Sequence, residues 1–449
     1  MSETSPFYLQ GFLAPVADEV DYYDLPVTGA LPYELNGCYA RNGPNPLPGD
    51  DPGNWFLGAG MVHGVRLRAG KAEWYRNRWV RTNSFVEDAP YIRADYSIDL
   101  TAVPANTNVV ACHGKAFALV EAGVPYEMTF GLDTVGPFDF GGRLKTAMTA
   151  HPKHDPVTEE MHFFGYGFRP PYLTYYRLSP EGELVESREI EVIGPTMMHD
   201  FAISSGHVVW MDLPVVFDVM TLSRTGMPYR WDDAYGARLG VMPMTEDAKV
   251  TWHDIDPCYI FHTANAYEDD SGRVVLNAIR YRPDAFKSVW TEIEGQYDPA
   301  ASAAILGRAH LHRFVIDPAN GVSEEQLDDL DIEFPTWNID RTGDDNRYLY
   351  AVSVDGIVKY DHRNDSTEFY KVGRDQLPGE AVFVPSRHSR GEDEGWLISL
   401  VSGAEDTPSE LLVLDARDLT FVASVQLPCR VPEGLHGSWL PYDEEQEAA

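Results

Sequence analysis

The chain has 449 residues, 44% hydrophobic and 12% aromatic, enough to bury a sizeable core and to exclude a disordered chain. Its 70 acidic against 35 basic residues give a net charge of −35, a field that repels nucleic acid and anionic substrates. No apolar run reaches the roughly 18–20 residues of a spanning helix, and the start (MSETSPFYLQ) lacks the basic segment of a signal peptide. Four scattered cysteines (Cys38, Cys112, Cys258, Cys429) form no CxxC pair. The composition therefore predicts a cytoplasmic protein with neither a disulfide framework nor a thiolate zinc site.

In chain order, the sequence reads as many short strands rich in Val, Ile, Tyr, Phe and Trp. They cover 63–68 with 73–80, 108–120, 161–168 with 172–178, and 208–211. They continue over 259–267, 274–281, 311–316, 348–360, 368–372, 382–385, 396–401, 411–415 and 421–426. Turn chemistry separates them: Arg-Ala-Gly-Lys at 68–71, Pro-Glu-Gly-Glu at 180–183, Asp-Asp-Ser-Gly at 269–272, Pro-Ala-Asn-Gly at 318–321 and Val-Asp-Gly at 354–356. This alternation is that of an all-β fold, and the length favours a β-propeller over a single sandwich, although no fixed-period repeat gives a blade count. The segment 214–244 breaks the pattern and predicts a loop-and-helix insertion; 300–308 predicts a short helix entered through Pro299. No low-complexity linker interrupts the chain, so residues 1–449 read as one domain.

Four of the 14 histidines lie in unusual settings: His151 in Ala-His-Pro-Lys-His-Asp-Pro, His199 in Met-Met-His-Asp-Phe, His262 in Ile-Phe-His-Thr-Ala-Asn and His436 in Gly-Leu-His-Gly-Ser-Trp. Taken singly, each fits an ordinary hydrogen-bonded histidine. Together they suit a metal, because the inner strands of a propeller point at one axis and can bring distant ligands together. Four neutral imidazoles without thiolate or carboxylate fit Fe(II), Cu or Zn and leave positions open for chemistry. Ligand imidazoles normally donate their second ring N–H to a carboxylate or carbonyl. Glu121 after Ala-Phe-Ala-Leu-Val, Glu333 before Phe-Pro and Glu380 in Gly-Glu-Ala-Val-Phe-Val-Pro stand in apolar settings where such a partner is needed.

At these residues the sequence resembles the carotenoid cleavage oxygenase family, in order along nearly the whole chain. The matching segments begin with Leu35-Asn-Gly-Cys-Tyr-Ala-Arg-Asn-Gly-Pro-Asn-Pro46, Gly60-Met-Val-His-Gly64, Ala105-Asn-Thr-Asn-Val-Val110 and Leu119-Val-Glu-Ala-Gly-Val-Pro-Tyr-Glu127. They continue with Ala150-His-Pro-Lys153, Met198-His-Asp-Phe201, Phe261-His262, Asn265-Ala-Tyr-Glu268, Glu333-Phe-Pro335, Gly379-Glu380 and His436-Gly437. The resemblance implies a seven-bladed β-propeller with a loop and helix cap over an axial Fe(2+), reached by an apolar tunnel. His151, His199, His262 and His436 match the ligand positions, with His154 a bystander and His63 in a motif that supplies no ligand. Glu121, Glu333 and Glu380 match the carboxylates paired with the last three ligands, and Thr107 matches a side chain that crowds one open position at the iron.

The resemblance also frames the substrate. Members that cleave stilbenes carry a lysine just before the first of these glutamates, where Val120 stands here; a long apolar conjugated substrate, a carotenoid or apocarotenoid cleaved with O2, is the expectation. The family's Phe-Asp-Gly-Asp-Gly-Met is Phe56-Leu-Gly-Ala-Gly-Met61 here, without either acid. Val120, Met197 and Phe261 are the expected tunnel walls, and the segment 219–229, with Met220, Leu222 and Met227 flanked by Arg224 and Arg230, is the expected peripheral contact with a membrane surface. Three rival readings are a stilbene-cleaving oxygenase, a non-oxidative retinoid isomerohydrolase on the same scaffold, and a metal-free propeller serving as an interaction module.

Overall fold

Short apolar runs closed by Gly, Asp and Asn turns pair with their nearest neighbours in sequence, which favours hairpins over long crossovers. In the computed structural model, which describes residues 6–221, 227–295, 308–404 and 407–442, this pairing makes seven antiparallel sheets of at least four strands, plus a two-stranded hairpin. The sheets are the blades of a seven-bladed β-propeller.

Blade two is Asn108–Cys112, Lys115–Leu119, Tyr126–Met128 and Thr134–Pro137; blade three is Lys153–His154, Met161–Tyr166, Leu173–Leu178 and Leu184–Glu189. Blade four is Ala202–Ile203, His207–Asp212, Arg238–Pro243 and Thr251–Asp254. Blade five is Tyr259–Glu268, Val274–Tyr281, His310–Asp317 and Gly321–Gln326; blade six is Glu333–Thr336, Tyr348–Ser353, Gly356–Asp361 and Ser366–Lys371.

The ring is closed at both termini. Blade one joins Gly37–Pro44, Gly60–Arg68, Lys71–Trp79 and the outer Asp21–Tyr23 to an inner strand from the other end of the chain, Gly437–Pro441. Blade seven, built on Gly395–Gly403, Glu410–Asp415 and Phe421–Gln426, takes its outer strand Val27–Gly29 from the N-terminal side. Apolar faces of neighbouring blades form the core: Val62 of blade one packs in one cluster with Val109 and Ala118 of blade two, and Phe164 and Tyr175 of blade three with Ile203 and Trp210 of blade four.

Several elements differ from the sequence reading. The run 108–120 is a hairpin, turned at His113 (φ 47°) and Gly114 (φ 75°), and 348–360 is likewise a hairpin, between Tyr348–Ser353 and Gly356–Asp361. The expected loop-and-helix insertion at 214–244 instead contains the hairpin Val215–Phe217 with Tyr229–Trp231 and a full blade strand, Arg238–Pro243; its helical backbone is limited to 219–221 among the described residues. The helix expected at 300–308 lies, apart from Arg308, outside the described residues, as does the tail from Asp443. An unexpected helix, Pro283–Ile293, starts with proline in its first turn and buries Phe286, Val289, Trp290 and Ile293 along one stripe against blade five.

Candidate metal centre

Each of the four histidines sits on or beside the innermost strand of a different blade. His151 lies two residues before Lys153–His154, His199 three before Ala202–Ile203, His262 within Tyr259–Glu268, and His436 immediately before Gly437–Pro441. The inner strand of blade five carries register shifts between Ile260 and Thr263 and again between Thr263 and Ala266. His262 thus occupies a bulge, the device by which a strand re-aims a side chain. Just beyond, Asn265 has φ 97°; its side chain secures that strained backbone by donating to the Arg341 and Asp344 carbonyls and Asn346, at 2.9–3.0 Å.

The imidazoles converge. One nitrogen from each of His151, His199, His262 and His436 lies within 4.8 Å of the others. The His151 and His199 Nε2 atoms are 3.0 Å apart, and those of His262 and His436 are 3.1 Å apart. His154 points outward and belongs to no such group, and His63 is buried elsewhere, its Nδ1 2.9 Å from the Tyr75 hydroxyl.

On the far side of three rings stands a carboxylate. His199 Nδ1 lies 2.6 Å from Glu121 Oε2, His262 Nδ1 2.5 Å from Glu333 Oε2, and His436 Nδ1 3.3 Å from Glu380 Oε2. Each carboxylate is itself held: Glu121 Oε1 accepts from Tyr166 at 2.7 Å, Glu333 Oε1 from Tyr281 at 2.9 Å, and Glu380 Oε2 from the Gly437 N–H at 2.8 Å. A carboxylate fixes the proton on Nδ1, so the Nε2 atoms face one another as lone pairs. Two such lone pairs about 3 Å apart repel unless a cation lies between them. Metal–imidazole bonds of about 2.1 Å at right angles put neighbouring nitrogens roughly 3.0 Å apart, against roughly 3.4 Å in a tetrahedral site. The donor set therefore fits a divalent first-row metal with positions to spare.

Electrostatics favour the neutral form at two of the four imidazoles. Burial drives His151 and His262 well below the ordinary histidine value, reinforced by the neighbouring rings. At His199 burial pulls the same way and is the largest single cause, but the charge and hydrogen bond of Glu121 with the charges of Asp200 and Glu333 together outweigh it, and the pKa is raised. Burial lifts Glu333 to about 7, against the hydrogen bonds from Phe334 and Tyr281; a bound cation would favour its ionised form.

A charged pair that local reading of the sequence misses ties the ligand strands together. Asp200, next to His199, is buried and forms an ion pair of 2.7 Å with Lys153 of the His151 strand. Its other oxygen accepts from the Thr263 N–H and hydroxyl, both at 2.8 Å, beside His262. Burial opposes the Asp200 charge, but the Lys153 ammonium and these hydrogen bonds hold its pKa below the usual carboxylate range. Both residues lie inside motifs already notable in the sequence, yet nothing in one segment reveals its partner in another.

A cavity of about 870 Å³ opens onto the cluster, touching His199, His262 and His436. Its wall is largely apolar and includes Val120, Met197 and Phe261, the three positions expected from the sequence, along with Phe56 and Leu57 of the segment that lacks both acids. Thr107 lines it too, and its carbonyl accepts from the His436 N–H at 3.2 Å. Met227 lines the cavity half-buried, while Val219 and Met220 are 61% and 67% exposed. Arg230 is not a free counter-charge, because it binds Asp218 at 2.6 Å; Leu222 and Arg224 lie outside the described residues. Among the described residues, no helix is long and apolar enough to cross a membrane.

Fold and site together define a seven-bladed propeller enzyme with a four-histidine cluster on its axis. The comparisons agree. Residues 13–441 match the family described as RPE65, retinal pigment epithelial membrane protein. The chain is 38% identical over 513 aligned positions to a carotenoid cleavage oxygenase of Mycobacterium tuberculosis, covering 98% of each chain. It is 33% identical to carotenoid 9,10(9',10')-cleavage dioxygenase 1 of Arabidopsis thaliana, covering 98% of this chain and 91% of that one. Among solved structures, the lignostilbene dioxygenase of Pseudomonas brassicacearum superposes with TM-score 0.83 and 26% identity over 98% of this chain and all of the other. The chain belongs to the carotenoid cleavage oxygenase family, and it is an oxygenase.

Proposed function

We propose that this chain is an iron(II)-dependent dioxygenase that uses O2 to cleave a carbon–carbon double bond of a carotenoid or apocarotenoid, giving two carbonyl products. The observation that carries the reading is the coincidence of the four-histidine cluster with the end of the 870 Å³ apolar cavity. His151, His199, His262 and His436 would hold the iron, whose chemistry when bound is the activation of O2. All four ligands are neutral, so none offsets the charge of the ion.

The chain's own work is positioning. Glu121, Glu333 and Glu380 fix the tautomer and orientation of three imidazoles and raise their basicity. Thr107 stands beside the cluster at the cavity wall, where its side chain narrows access from one side. Val120, Met197 and Phe261 exclude water and hold the polyene so that one double bond lies near the metal. No side chain is required as general acid or base, which agrees with a cavity end that offers imidazoles already committed to carboxylates.

The carotenoid oxygenases among the relatives support a polyene, the lignostilbene dioxygenase a stilbene; the apolar Val120 favours the former, because no ammonium there can bind a phenolic oxygen. The direct test is incubation of iron-loaded protein with carotenoids, apocarotenals and hydroxystilbenes, followed by product identification. Cleavage of a carotenoid or apocarotenal is expected; efficient cleavage of hydroxystilbenes with no polyene turnover would overturn the substrate assignment. Retinoid isomerisation or ester hydrolysis without O2 consumption would overturn the reaction type.

A further inference from the structure

The Lys153–Asp200 pair joins the segments of His151, His199 and His262 and leaves His436 out. The carboxylate behind that fourth ligand is also held differently. A tyrosine hydroxyl fixes the far oxygen of Glu121 and of Glu333. Among the described residues, the Glu380 carboxylate accepts only from His436 and the Gly437 N–H, both on Oε2. Its place is set through the backbone instead. The Gly379 N–H donates to the Leu400 carbonyl at 3.1 Å, the Gly379 carbonyl accepts from Ser399 Oγ at 2.7 Å, and the Glu380 carbonyl accepts from the Tyr39 hydroxyl at 3.2 Å.

Two residues beyond Tyr39, on the same face of the strand Gly37–Pro44, stands Arg41, 1% exposed. Its guanidinium spans two segments. Nη1 donates at 3.2 Å to the Leu400 carbonyl, the one that also takes the Gly379 N–H, and Nη2 donates to the Pro432 carbonyl, four residues before His436. Both nitrogens also reach Ser402 Oγ at 3.4 Å. The group packs directly on two glycines: a Cβ on Gly379 would stand 2.9 Å from Nη1, and one on Gly434 2.9 Å from Nε. A rigid planar fork therefore sets the distance between the residue before Glu380 and the residue two before His436. Backbone bonds with Asn42 hold Leu435 and His436 to blade one; Arg41 adds the tie to blade seven, beside Glu380. Ring closure does not need this tie, because the ladder between Gly37–Arg41 and Gly437–Pro441 already makes it. Arg41 does not line the cavity, so it has no direct contact with a substrate there.

We propose that Arg41 is a positioning residue for the metal centre, holding Glu380 and His436 in the register in which carboxylate and imidazole meet. This rests on the metal-centre reading above and extends it to the one ligand that the Lys153–Asp200 pair does not brace. Residues 427–436 have no helix or strand of their own, and the His436–Glu380 contact, at 3.3 Å, is the longest of the three imidazole–carboxylate contacts. It is the one that opens first when the fork is removed, and His436 then loses the partner that fixes its tautomer.

The test loads the full chain with Co(II), a spectroscopic substitute for Fe(II), and reads the ligand-field absorption of the bound ion and its affinity in competition with a chelator. Arg41→Met should weaken Co(II) binding roughly tenfold, the lower end of the range for groups that orient a ligand, and should alter the ligand-field bands. Arg41→Lys, whose ammonium cannot bridge both carbonyls in the same fixed geometry, should fall between that variant and wild type. Lys359→Met is the comparison: it removes another buried cation, 3% exposed and paired with Asp393 at 2.7 Å on the third strand of blade six. It should lower the melting temperature and leave the Co(II) bands and affinity unchanged. Should Arg41→Met fail to fold, Arg41→Lys carries the same comparison. Wild-type bands and affinity in a folded Arg41 variant would overturn the proposal, as would an equal loss of Co(II) in Lys359→Met, which would reduce the effect to general stability. A wild-type chain that takes up no Co(II) would overturn the metal centre itself, and this role with it.

Discussion

Lys153→Met removes an ammonium from a buried ion pair while keeping most of the side chain's length. Lys153 and Asp200 are 2.7 Å apart with side-chain exposures of 11% and 2%, so solvent screens them little. Removing one partner of a buried pair strands the other, at a cost of about 3–5 kcal/mol. Asp200 keeps its hydrogen bonds from Phe201 and Thr263, which places the cost near the lower end, about 3 kcal/mol. Unfolding entropy of about 2.1 cal/mol/K per residue gives roughly 0.9 kcal/mol/K for 449 residues. The expected fall in Tm, read by calorimetry on the metal-loaded protein, is therefore about 3 °C. Because Asp200 ties the His199 and His262 strands, metal affinity should fall in the same variant, and Lys153→Met with Asp200→Asn should recover part of the stability. An unchanged Tm and unchanged metal affinity would refute the assignment of this pair as the brace of the ligand strands.

The remaining expectations follow from single contacts. Glu333→Gln should weaken metal binding by roughly 10- to 100-fold, and Glu380→Gln by less, because the first contact is 2.5 Å and the second 3.3 Å; competition with a chelator measures both, and equal affinities to wild type would contradict the pairing. Val120→Lys places an unpaired ammonium in the cavity wall and should depress polyene turnover, read as kcat/KM, with unimpaired turnover counting against Val120 as a wall residue. Glu433, half-buried with its Oε2 shut off from solvent, is raised to about 7 by desolvation, opposed by Arg41. The folded state thus holds this proton more tightly than the unfolded chain, so its contribution favours folding at low pH and is lost as pH rises from about 4.5 to 7. Chemical denaturation at pH 5 and 8 should show Glu433→Gln gaining roughly 2.5 kcal/mol over wild type between the two, and parallel curves would contradict the shift. Met220→Ser should reduce binding to liposomes without lowering Tm, since Met220 is 67% exposed; a marked loss of Tm would mean the side chain is structural.

How much of this was legible in the sequence depends on range. The β class was readable because inner and middle strands such as Val274–Tyr281 bury nearly every side chain and read as continuous apolar runs. Outer strands were harder: Gly321–Gln326 is mostly exposed and Ser366–Lys371 almost wholly so, which leaves few apolar residues to mark them. The two-residue turn at His113 and Gly114 disappeared inside an apolar stretch, so a hairpin read as one long strand. The stripe Phe286, Val289, Trp290, Ile293 has helical spacing, but it follows a strand so closely that the β pattern masked it. At the site, the four histidines and three glutamates stood out by motif. The Lys153–Asp200 brace and the Tyr166 contact did not, because each pairs residues about 45 positions apart that no local pattern connects.

In the reaction proposed above, a four-histidine iron centre would add both atoms of O2 across a double bond held in the cavity. Mass spectrometry of the products formed under 18O2 in ordinary water, corrected for carbonyl exchange, tests it most directly. Label is expected in both carbonyl products, lost together with bound iron when His262 is replaced by alanine. Products that form without incorporating label would contradict it.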